Sequence, residues 1–96
     1  MKSEIATMLA DELESGRWKK HKGRLGTEGG ARCCLGVLQD IAPPAYRRSA
    51  LYEPHVQPGI ATWAQLTLTE QVRLSQINDG SKDWTPVVKQ LREWAK

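Results

Sequence analysis

The sequence predicts a small α+β domain, mostly helical, in which three to four helices lie beside a short antiparallel hairpin. Three observations lead there. Apolar residues recur at helical spacing in four stretches. Between the first two, a basic and glycine-rich stretch alternates loosely, as the arms of a hairpin do. The 96 residues, 40% apolar and 26% charged, fit one compact domain over 1–96. A chain of this size buries only roughly 60–65% of the surface it exposes when unfolded, which leaves room for a homodimer or another partner to add stability.

Ile5, Met8, Leu9 and Leu13 share a helical face, with Ser3 as N-cap and Gly16 as the stop, so a helix is predicted over 4–15. Its acids Glu4, Asp11, Glu12 and Glu14 form the solvated side. The hairpin is placed at 17–35, where Gly26, Gly29 and Gly30 suit a turn of positive φ. Cys34, Val37, Leu38, Ile41 and Ala42 then make a second stripe, read as the central buried helix and closed by Pro43-Pro44. Gly36 inside it costs roughly 1 kcal/mol relative to alanine, a cost explained if another element crosses closely there.

Residues 45–66 keep no period and contain Pro54, Pro58 and Gly59, so an irregular excursion is expected, with a short strand or helical turn near 60–66. Thr67 and Glu70 have capping-box spacing and open a helix that runs to about Ile77, with Leu68, Val72, Leu74 and Ile77 as its apolar positions. Asn78-Asp79-Gly80 ends it with residues that tolerate left-handed φ. Thr85-Pro86 supplies an N-cap and a first-turn proline for a last helix bearing Val87, Val88, Leu91, Trp94 and Ala95.

No apolar run approaches the ~20 residues that span a bilayer, so no membrane partner is expected. The acid-bearing N-terminal stretch is unlike a secretory signal, which points to the cytoplasm. Two adjacent cysteines make no disulfide framework, because bridging neighbours strains the peptide between them. Both are expected as free thiols. Nothing matches a phosphate loop, a dinucleotide fingerprint or a Ser-His-Asp set, so no cofactor is assigned and an enzyme is the weaker expectation.

The run Cys33-Cys34-Leu35-Gly36-Val37-Leu38, with Gly23-Arg24-Leu25 upstream and Asn78-Asp79-Gly80 ahead of a final helix over 84–94, resembles a group of small uncharacterised bacteriophage and prophage proteins. The resemblance covers most of the chain in order, and its six-residue core is the specific part. This chain departs from the group in carrying Gln39-Asp40 where many relatives have a further cysteine, in having Trp84 for a phenylalanine, and in a compressed turn at 78–80. What the resemblance implies is a setting, a phage accessory protein acting in the bacterial cytoplasm, rather than a mechanism.

The net charge of +3 is distributed unevenly, with −3 over residues 1–16, +5 over 17–32 and +1 over the rest. The basic stretch Arg17, Trp18, Lys19, Lys20, Lys22 and Arg24 is therefore a candidate anion-binding patch. Its cations suit phosphates and its tryptophan suits a stacked base. The blander reading is a solvated segment with Trp18 folded onto the core. Tyr46, Arg47, Arg48, Tyr52 and Trp63 form a second candidate surface in the long loop, since tryptophan, tyrosine and arginine are enriched at binding hot spots.

Cys33 and Cys34, with His21 or His55 as base or ligand, are candidates for thiol or metal chemistry. Adjacent cysteines reach one tetrahedral ion poorly, and buried structural cysteine is the commoner use, so no metal is assigned. The leading expectation is a non-enzymatic phage accessory protein that binds and occludes a host protein or ribonucleoprotein. Inhibition of a bacterial defence system, as by an anti-CRISPR protein, is its specific version. A small RNA- or DNA-binding protein is the first alternative, and a thiol-dependent enzyme or metal protein the second.

Overall fold

A computed structural model describes residues 1–23, 25–27, 29–46, 56 and 58–96. Along the chain come α1 (Ser3–Glu14), α2 (Cys34–Ile41), a 3-10 turn at Pro44–Tyr46, α3 (Pro58–Ala64), α4 (Leu68–Asp79) and α5 (Thr85–Trp94). The radius of gyration is 11.7 Å, no larger than the roughly 12–13 Å expected of a compact chain this long.

The centre is α2. Cys34, Leu35, Gly36, Val37, Leu38 and Gln39 are buried one after another, which on a helix means that every face is covered. Around it α1 contributes Ile5, Ala6, Leu9, Ala10 and Leu13, α5 contributes Val87 and Leu91, and Leu74, Ile60 and Leu25 fill the remainder. Both α1 and α4 pack on α2 and on α5. Arg92 of α5 reaches Asp11 (2.8 Å) and Glu14 (2.5 Å), tying the last helix to the first.

The glycine within α2 has the use its cost suggested. A Cβ on Gly36 would lie 1.8 Å from the carbonyl oxygen of Leu25. That same oxygen accepts the amide of Cys33 (3.1 Å), so the incoming loop crosses directly on the first turn of the helix.

The hairpin expected over 17–35 is not formed. Among the described residues there is no strand, only two isolated bridges that share one residue, Lys20 with Arg32 in parallel and Gly26 with Arg32 in antiparallel sense. Antiparallel pairing is confined to the tight loop where Thr27 donates to Ala31 O (2.9 Å) and Cys33 to Leu25 O (3.1 Å). The earlier segment meets Arg32 from the other side, through His21 N to Arg32 O and Arg32 N to Lys19 O, both 2.7 Å. Between the two contacts Gly23 adopts φ +87° and turns the chain, so neither flank stays extended long enough to build a ladder. The Arg32 side chain then fastens the loop, with Nε on Asp40 Oδ2 (2.6 Å) and a terminal nitrogen on the carbonyls of Thr27 (2.8 Å) and Ala31 (2.9 Å). The sheet component of the expected class is replaced by a loop held by one arginine.

Several helix ends also differ. Ser3 is the first residue of α1 and not its cap, and Lys2 occupies the cap position without a side-chain bond. Gly16 follows that helix at φ +80°, as a stop should. The capping box at Thr67 and Glu70 is complete, with Thr67 N to Glu70 Oε1 at 2.9 Å and Glu70 N to Thr67 Oγ1 at 3.1 Å. Gly80 is not left-handed, having φ −87°. The end of α4 is satisfied instead by the Lys20 ammonium, which donates to the carbonyls of Asn78 and Ser81. Trp84 rather than Thr85 holds the cap position of α5, and Asp83 Oδ1 accepts the Thr85 amide at 2.9 Å. The expected strand or turn near 60–66 is the short helix α3.

The largest departure is the rotation of α4. Its inward residues are Gln71, Leu74 and Asn78, whereas two of its apolar positions, Leu68 and Val72, are 65% and 40% exposed. Ile77 is half-buried. Val72 and Leu74 stand two residues apart, about 200° around a helix, so they cannot share a face. Packing chooses Leu74, and the polar residues three before and four after it follow it inward.

Candidate functional site

Three regions bear on function, and the most deeply buried is a polar junction that joins the basic segment to α2 and α4. Asn78 is fully buried. Its Oδ1 accepts the Cys34 amide (3.2 Å), one of the unpaired donors at the start of α2, and its Nδ2 donates to His21 O (2.9 Å) and Asp79 Oδ1 (3.2 Å). Asp79 Oδ1 in turn accepts the Gly23 amide at 2.9 Å. The Asn78-Asp79-Gly80 turn is thus a clamp on the loop and on the first turn of α2.

Both cysteines are free and buried in this junction. Cys33 caps α2, its Sγ accepting the Gly36 amide at 3.4 Å, and the Cys34 thiol faces Leu74 O at 3.7 Å. Burial pushes the Cys33 thiol above its ordinary pKa, and burial together with the neighbouring Cys33 raises Cys34 much further. A nucleophilic or metal-binding cysteine needs the opposite shift. Among the described residues no three of His, Cys, Asp and Glu are grouped so as to hold a metal ion. His21 Nε2 is buried without a hydrogen-bond partner, and His55 lies outside the described residues.

The basic segment is largely consumed by structure. Arg17 forms a two-pronged bond with Glu12 (3.1 and 2.7 Å), and the Trp18 indole donates to the same carboxylate (2.8 Å). Those two bonds, the indole's first, hold the Glu12 carboxyl below its ordinary pKa. Trp18 packs against the core, its carbonyl accepting the Trp84 indole at 3.3 Å. Lys20 ends α4 and sits 5.9 Å above the Trp84 ring. Burial, then the neighbouring Lys22, lower its pKa. Lys19 and Lys22 are exposed. Arg24 lies outside the described residues.

Of the loop residues, Arg47, Arg48 and Tyr52 also lie outside them. Tyr46 and Trp63 are brought together, ring centroids 6.5 Å apart and planes 23° from parallel. A Cβ on Gly59 would lie 3.3 Å from the Tyr46 ring. Gly59 and Trp63, four apart on α3, thus form a seat for a tyrosine that is still 41% exposed.

The third region lies at Leu68 and Val72, apolar positions that the sequence pattern did not single out as a surface. With Thr69, Arg73 and Gln76 they line a shallow groove on the outer side of α4. A second groove, between α4 and α5, is lined by Arg73, Ile77, Pro86, Lys89, Gln90 and Glu93, so Arg73 joins the two. No signal in the sequence marked this region, because Leu68, Val72, Leu74 and Ile77 do not define a single side of a helix. Gln71, Leu74 and Asn78 lie at i−3, i and i+4, and a helix that turns one leucine and two amides inward shows its other aliphatic residues to water.

No protein-family model matches the chain, and comparison with curated proteins and with solved structures finds no match. No helix among the described residues is long and apolar enough to cross a membrane.

Proposed function

We propose that this chain is a non-enzymatic binding protein that acts by covering a surface of another macromolecule. One observation carries the reading: Tyr46, Leu68 and Val72 remain exposed on a chain with a small core. Leu68 and Val72 adjoin on α4, and adjoining exposed apolar side chains mark an interaction surface where isolated ones do not. The burial of both thiols, with their raised pKa values, counsels against chemistry at the cysteine pair. In the setting that the resemblance implies, the target is a host protein or ribonucleoprotein of the bacterial cytoplasm. Inhibition of a defence system, CRISPR among them, is the specific form.

The test is capture of the tagged protein from bacterial lysate, with and without nuclease, followed by mass spectrometry. A stoichiometric protein that survives nuclease supports occlusion and names its target. Recovery of nucleic acid, with every protein lost after nuclease, overturns it.

The nucleic-acid alternative retains Lys19 and Lys22 as exposed cations, while Arg17, Trp18 and Lys20 have intramolecular partners. It requires affinity that falls steeply with salt and is lost on neutralising Lys19 and Lys22.

A further inference from the structure

We draw no further inference here: the strongest candidate, the cleft between the end of α1 and the start of α5 lined by Leu13, Glu14, Asp83, Trp84, Thr85 and Val88, carries nothing because its two carboxylates already serve the fold, Glu14 on Arg92 and Asp83 on the Thr85 amide, and nothing in the structure shows what fills it.

Discussion

Single atoms decide much of this fold. Gly36 is required because the Leu25 carbonyl occupies the space of its missing Cβ, 1.8 Å away. Backbone cannot retreat as a flexible side chain would, so Gly36→Ala should lower unfolding free energy by about 3 kcal/mol, read from urea denaturation. A loss under 1 kcal/mol, about the spread of ordinary substitutions, would mean that the loop does not cross there. The cysteines make the complementary case. With both thiols buried and their pKa values raised, iodoacetamide should label neither at neutral pH except at the rate of unfolding. Fast labelling of one cysteine, located by mass spectrometry, would reopen thiol chemistry.

At the scale of elements, ends and rotations matter more than lengths. Lys20 and its neighbours Lys19 and Lys22 look equivalent in the sequence, yet only Lys20 ends a helix, on the carbonyls of Asn78 and Ser81. Lys20→Met should cost about 1 kcal/mol or more through the unpaired end of α4, whereas Lys19→Met and Lys22→Met should stay within about 0.5 kcal/mol. Thermal midpoints of the three variants check this. Glu12, near the end of α1, holds the segment that follows, and Trp18 and Arg17 keep its carboxyl below the ordinary value. The folded chain then binds fewer protons there than the unfolded chain. That contribution to stability is present above the unfolded carboxylate pKa and is lost as pH falls through the lower folded value. Glu12→Gln should therefore flatten the acid side of a plot of midpoint against pH, and an unchanged acid limb would show that the bonds to Trp18 and Arg17 do not persist in solution.

At the scale of the molecule, α2 is covered on every side, while α4 keeps one flank in water. Local opening free energy follows such burial. Amide exchange should be slowest at Val37 and Leu38, and faster at Val72 and Arg73. The reverse order would mean that the outer face of α4 is covered in solution. The same contrast locates the proposed function, since a rigid centre presents a face that the chain leaves unoccupied.

Local chemistry was enough to read much of this from the sequence. The four long helices and the capping box at Thr67 and Glu70 depend on neighbours within a few residues. The cost of a glycine inside a helical stripe was enough to mark the close approach at Gly36, although its partner Leu25 had to come from the structure. The hairpin was misread and the core face of α4 was not singled out, because both depend on partners far along the chain. Alternation over 17–25 does not disclose that Arg32 is shared between two segments, or that Lys20 is drawn off to a helix end 58 residues away. Nor can a helix with apolar residues on two sides select its own inward face. Leu74, Gln71 and Asn78 turn inward because α2 offers Leu74 a packed site and because Cys34, His21 and Val56 present backbone groups for the two amides. Burial and hydrogen bonds brought together across the chain outweigh two aliphatic side chains, and the face those side chains line is set by tertiary structure alone.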